Sequence, residues 1–112
     1  MNNEFWNAID KLVEESEIVI DRPKGTAHPK YPQTVYEVGY GYLKNTQSMD
    51  GGGIDVWVGS EAKKVVGIIC TVDLLKRDSE MKILIGCSET EIEYINRFHN
   101  ESEFMEGILI RR

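Results

Sequence analysis

Apolar and polar positions along this chain repeat with two different periods. Near the start, Phe5, Ile9, Leu12 and Val13 fall at i, i+4, i+7 and i+8, which is one face of an amphipathic helix. Residues 17–21 then read as a short strand. Pro23, Pro29 and Pro32, with Gly25, make residues 22–33 unsuitable for a helix or a central strand. Residues 35–43 are rich in Tyr and Val, and Gly39 and Gly41 interrupt them, which predicts a bent strand with close backbone approaches. The polar stretch 44–53 ends in Gly51-Gly52-Gly53 and reads as a flexible loop. Residues 54–58 predict a strand, and the β-branched run 65–72 predicts a central one. A turn at 76–79 leads to a returning strand at 81–87. Ser88-Glu89-Thr90-Glu91 is a capping box that opens a helix with Ile92, Ile95 and Phe98 facing inward. A last strand covers 107–110.

The order is therefore helix, several strands, helix, strand. Short and mostly antiparallel strands favour a small barrel or curled sheet flanked by helices. The length of 112 residues suits a single domain spanning residues 1–112. Lys and Arg number 13 against 19 Asp and Glu, a net charge of −6, which argues against a general nucleic-acid binder. It leaves phosphate chemistry open, because a bound Mg²⁺ reverses the local sign of a site. No apolar run is long enough to cross a membrane as a helix. The acidic, amphipathic start does not read as a secretory signal, so the expected location is cytoplasmic. Cys70 and Cys87 lie in apolar runs and read as buried free thiols of a reducing compartment. Phe5, Trp6, Ile9 and the segment Ile108-Leu109-Ile110 offer more apolar surface than a small barrel readily covers, which points to a homo-oligomer unless the first helix plugs the barrel.

The aspartates are the most informative candidates for chemistry. Asp50 and Asp55 flank Gly51-Gly52-Gly53-Ile54, and Asp73 and Asp78 flank Leu74-Leu75-Lys76-Arg77. Both pairs have the same spacing, and both lie where the chain enters or leaves a strand. Mg²⁺ takes carboxylate oxygens converging from separate elements, and glycines between two carboxylates let both point at one centre. Aspartate also favours turns through bonds to its local backbone, so spacing alone leaves both readings open. Arg22, Lys24 and Lys30 in the proline-rich segment are fixed charges suited to phosphate oxygens, or a solvated loop that offsets the acidic excess. Tyr36, Tyr40 and Tyr42 alternate, so their hydroxyls either point into one cleft or the rings pack across strands. His28 is a candidate phosphate contact, and His99 reads as a helix C-terminal residue favoured by the dipole. Neither histidine has a Cys or His partner for zinc, and the EF-hand, P-loop, dinucleotide and nucleophile-elbow patterns are absent.

Taken in order, these residues resemble the soluble family I inorganic pyrophosphatases over about residues 18–85. Tyr40-Gly41-Tyr42, Asp50-Gly51 and Asp55-Val56 are similar to the family's tyrosine-glycine-tyrosine segment and the first and last aspartates of its signature. Asp73 and Asp78 are similar to its second aspartate pair, and Lys82 to the lysine that follows, two residues late. Asp21-Arg22-Pro23 stands where the family has glutamate-x-proline, Lys30-Tyr31 resembles its lysine-tyrosine, and Tyr36 and Tyr40 match two of its tyrosines.

The resemblance implies a mainly β, α+β fold: a closed five-stranded OB-like barrel with flanking helices. It implies hydrolysis of inorganic diphosphate to orthophosphate by metal-activated water, with Mg²⁺ as cofactor. Asp50, Asp55, Asp73, Asp78 and Asp21 would be metal ligands. Asp50, Asp55 and Tyr40 would be catalytic, while Lys30, Lys82, Tyr36, Arg22 and Lys24 would bind substrate. Three departures stand against this. The signature's middle aspartate is Gly52 here. A hairpin between Lys30 and Tyr36, with an acidic residue and a phosphate-binding arginine, is missing. The family's late tyrosine-lysine pair has only Phe98-His99-Asn100 in its place. The alternative is a non-catalytic or altered-substrate relative that binds a small phosphate compound, a nucleotide or a partner protein on the barrel.

Overall fold

In this computed structural model, which describes residues 3–112, the elements follow the expected order. They are α1 (Asn3–Glu14), β1 (Ile18–Arg22), β2 (Gly39–Leu43), β3 (Ile54–Val58), β4 (Val65–Asp73), β5 (Asp78–Ile85), α2 (Glu89–Phe98) and β6 (Met105–Arg111). The strands form one six-stranded sheet in the order β1-β2-β3-β5-β4-β6. All neighbours are antiparallel except β3 and β5.

The sheet is open, not a closed five-stranded barrel. β1 pairs only with β2, and β6 only with β4. Alternation along the strands explains the departure. Val56, Ile68, Ile83 and Ile85 pack into one cluster with Leu43, while Trp57, Ile69 and Leu84 pack into another. A closed barrel has one packed interior; here both faces are packed, each by a helix, so apolar burial does not require the edges to meet.

Helix α1 covers the first face with Trp6, Ile9 and Val13. At about 1.5–3 kcal/mol for each large buried side chain, these anchors fix the helix to the sheet. The helix is rotated slightly from the expected face: Trp6 is 2% exposed, whereas Phe5 lies at the margin at 36%. Helix α2 covers part of the second face with Ile92 and Ile95, and it is opened by the capping box, with Ser88 accepting from Glu91 N–H and Glu91 accepting from Ser88 N–H. Strands β1 and β2 approach so closely at Gly41 that a Cβ there would lie 1.8 Å from Val19 O. Strand β2 starts at Gly39 and not at 35, because Val35 bridges to Ala27. Both cysteines are free, Cys87 buried and Cys70 partly so. Among the described residues no helix is long and apolar enough to cross a membrane.

Candidate active site

Helix α2 is too short to cover its whole sheet face, and the uncovered part is polar. On β5, Asp78, Glu80 and Lys82 alternate with apolar Met81 and Ile83, so period two puts all three on this face. The next residue in that row is Leu84, which packs under α2. On β3, Asp55 precedes Trp57 in the same row, and β2 adds Tyr40, paired with Trp57, and Tyr42, paired with Asp55. The site is thus the polar continuation of the aromatic core beneath α2.

Lys82 organises it. Its ammonium lies 2.8 Å from Asp55 Oδ2, 2.8 Å from the Tyr40 hydroxyl and 3.1 Å from Glu80 Oε2. The lysine side chain is only 7% exposed. Burial alone would favour its neutral form, but Tyr40 and Asp55 more than offset this and hold the group charged, with its pKa raised. The Tyr40 hydroxyl lies 2.8 Å from Asp55 Oδ2 and donates to it. Burial, reinforced by Asp55 and opposed by Lys82, pushes its pKa up, so it keeps its proton.

Glu80 links this cluster to a second one. Asp50, Asp78 and Glu80 each offer a carboxylate oxygen within 4.8 Å of the others. Asp50 Oδ1 accepts from Ser48 Oγ at 2.6 Å and from Gly52 N–H at 2.9 Å. These bonds hold its pKa down at about 2. The loop is closed by Ser48 N–H bonding to Gly52 O at 2.8 Å, and Gly51 takes the left-handed φ of +84° that this turn requires. Glu80 moves the other way: burial raises its pKa, against the pull of Lys82. Three carboxylates this close repel without a cation, and their oxygens suit a hard divalent ion.

The other expected ligands stand elsewhere. Asp55 belongs to the Lys82 cluster, where that ammonium already meets its charge. Asp73 opposes Asp78 across the β4–β5 hairpin, but its Oδ1 accepts from Leu75 and Lys76 N–H, the local turn role of an aspartate. Asp21 is exposed on the edge strand β1, where the register shifts between Ile20 and Arg22. The only cluster of this kind among the described residues contains none of these three. Glu80 went unpredicted; the signal that finds it is the period-two run Asp78-x-Glu80-x-Lys82, hidden because residues 76–79 read as a turn.

Around Tyr40 the expected substrate contacts divide. Tyr36 is 2% exposed and does not open into the cleft; its hydroxyl accepts from Arg22 Nη1. The Arg22 guanidinium lies over the Tyr36 and Tyr40 rings at 5.5 and 5.9 Å, beside the Lys82 cluster. Lys24 lines a separate groove with Glu37, Glu91 and Tyr94. Lys30 is exposed on the proline-rich segment, and His28 Nδ1 accepts from its N–H at 3.0 Å. His99 does not act as a charged cap. It is buried, its Nε2 accepts from Trp57 Nε1–H at 3.1 Å, and burial drops its pKa to about 3.

No protein-family model matches this chain, and no curated protein matches it. Solved structures do. An inorganic pyrophosphatase from Neisseria gonorrhoeae superposes with a TM-score of 0.61 at 17% identity, over 80% of this chain and 77% of that one. One from Coxiella burnetii gives 0.61 at 14% identity, over 80% and 81%. One from Helicobacter pylori gives 0.53 at 15% identity, over 87% and 74%. The chain shares the fold of these proteins.

Proposed function

We propose that this protein hydrolyses the phosphoanhydride bond of a small diphosphate compound, inorganic diphosphate being the smallest, with Mg²⁺ as cofactor. One observation carries the reading: an acidic trio, Asp50, Asp78 and Glu80, adjoins a buried lysine that is held charged, with Glu80 and Lys82 3.1 Å apart. The trio fits the cation: the donors are all oxygen, they come from a loop and a strand, and Asp50 is held ionised. A cation bound there would lower the pKa of a bound water and offset charge on phosphate oxygens. Arg22 supplies a cationic donor to those oxygens, and Lys82, whose three N–H groups go to Asp55, Tyr40 and Glu80, adds positive charge beside them. Tyr40 stays protonated, and its bond to Asp55 fixes that carboxylate against Lys82. The fold shared with inorganic pyrophosphatases supports this class of substrate.

Gly52 favours a second reading, a protein that binds a phosphate compound without turning it over. Phosphate release from diphosphate separates the two. The first requires release that depends on Mg²⁺ and is lost in Asp50→Asn. The second requires that diphosphate raise the melting temperature with no release.

A further inference from the structure

Spacing makes Asp50 and Asp55 equal candidates for a divalent ion, yet only Asp50 joins the acidic trio. Asp55 has a cation of its own. Val56 pairs with Ile83 in the parallel β3–β5 ladder, so Asp55 and Lys82 stand side by side on adjacent strands. Both belong to the sheet and not to a loop, so strand register sets the ion pair. Asp55 Oδ2 accepts from the Lys82 ammonium and from the Tyr40 hydroxyl, each at 2.8 Å, which uses both lone pairs of that oxygen. The ammonium gives its other N–H groups to the Tyr40 hydroxyl at 2.8 Å and to Glu80 Oε2 at 3.1 Å. It also lies 5.4 Å from the centre of the Tyr40 ring. All three of its donors are thereby engaged, and the side chain is 7% exposed. Mg²⁺ takes carboxylate oxygens at about 2.0–2.1 Å, so an ion on Asp55 would stand beside a buried ammonium and share a carboxylate whose charge is already met. Like charges so placed repel strongly where water is excluded. Glu80 reaches both sides, since its carboxylate meets the ammonium and also belongs to the trio.

We infer that Lys82 is a built-in cation that closes the Asp55 end of the site to divalent ions and leaves one exchangeable position, at Asp50, Asp78 and Glu80. This rests on the hydrolase reading and sets the number of ions that reading works with. Two-metal hydrolases place two divalent ions side by side as a clamp on the attacking and leaving oxygens. Here the chain's own ammonium fills the second place permanently. The exchange has a chemical consequence. An ammonium carries one charge where a divalent ion carries two, and it has no open position at which to coordinate and acidify a water. Lys82 therefore holds Asp55 and Glu80 in place and adds charge beside the phosphates, while activation of water is left to the side of the trio. Because the ammonium does not exchange, Asp55 and Tyr40 keep their arrangement when Mg²⁺ is withdrawn.

Counting bound Mn²⁺ tests this, because Mn²⁺ takes the same oxygen ligands as Mg²⁺ and the paramagnetic resonance signal of the aqueous ion reports what stays free. The titration is run at about 0.15 M ionic strength, where scattered surface carboxylates compete poorly. The parent should bind one ion per chain at saturation. Lys82→Ala removes the ammonium and should raise the count to two. Lys82→Gln keeps a donor for Asp55 or Tyr40, which guards against loss of the fold, and it too should bind two. A parent that binds two or more ions, or a folded Lys82→Ala or Lys82→Gln protein that still binds one, overturns the inference and leaves the hydrolase reading standing. A parent that binds none overturns the two together. Should neither variant fold, the count in the parent decides alone.

Discussion

Lys82 on β5 and Asp55 on β3 lie 2.8 Å apart, two strands that pair in parallel and bring one cation and one carboxylate onto the same sheet face. The lysine side chain is 7% exposed and the aspartate 26%. Removing one partner of a buried pair costs about 3–5 kcal/mol, and the partial exposure of Asp55, with Glu80 still present, reduces this to about 2 kcal/mol for Asp55→Ala. Adding Lys82→Met to Asp55→Ala should recover part of the loss, because no orphaned charge remains. Urea unfolding of the single and double variants measures this; an Asp55→Ala protein as stable as the parent would contradict it.

His99 makes the fold sensitive to acid. Its Nε2 accepts the Trp57 N–H, so protonation there breaks a buried bond. The folded pKa of about 3 lies below the ordinary 6.5. Below pH 6.5 the unfolded chain therefore binds a proton that the folded chain refuses, and stability falls as pH falls. The loss attributable to His99 should reach about 2 kcal/mol at pH 5 relative to pH 7, at about 1.4 kcal/mol per unit of pKa difference. His99→Gln keeps an acceptor for Trp57 and should flatten the profile between pH 7 and 5. An unchanged slope in that variant would assign the effect elsewhere.

Gly52 sits beside the acidic trio. A Cβ there would lie 3.3 Å from Asp50 Oδ1, and the backbone needs no glycine-specific φ. Gly52→Asp therefore needs the Asp50 side chain to yield by a few tenths of an ångström, and it places a new carboxylate against Asp50. It should lower stability without metal, through like-charge repulsion, and raise the Mg²⁺-dependent rate toward the 10²–10⁴-fold that a general base contributes. Melting curves and phosphate release read the two effects. A rate no higher than the parent's would mean that residue 52 lies outside the reacting geometry.

The metal-free protein carries a related signature. Asp78→Asn removes a charge from the trio while keeping the side chain's shape. Without metal it should leave the melting temperature equal or higher, and it should abolish the rise that saturating Mg²⁺ causes in the parent. For the parent that rise corresponds to about 2.7 kcal/mol at a hundredfold excess over Kd. A parent indifferent to Mg²⁺ would remove the cation from the account.

Helix α1, strands β3 and β4 and the capped helix α2 were legible: the helices from their apolar period, although α1 is turned so that Trp6 and not Phe5 is buried, and the strands from apolar runs that pack on both faces. The start of β5 was not. Asp78-Ser79-Glu80 has the composition of a turn, and it is a strand because its polar side faces the site and not a core. The same residues hid Glu80. Open against closed could not be read from the pattern either. Trp57 and Val56 are both fully buried, on opposite faces, which a short apolar run does not distinguish from a barrel wall. Asp50 and Asp78 were legible as carboxylates at strand ends. Asp73 shares their pattern and, like Asp50, gives its Oδ1 to local N–H groups, those of Leu75 and Lys76; what sets it apart is that its carboxylate does not join the trio, which spacing does not reveal.

The most direct measurement is orthophosphate release from inorganic diphosphate by the purified protein, in Mg²⁺ and in EDTA, beside Asp50→Asn. Asp50 is fixed by Ser48 and Gly52 at the edge of the trio, so the substitution removes charge at little cost to the fold. The account predicts release that requires Mg²⁺ and falls by at least two orders of magnitude in Asp50→Asn, the lower end of what a catalytic group contributes. Release equal in EDTA, or an Asp50→Asn protein as active as the parent, would contradict it.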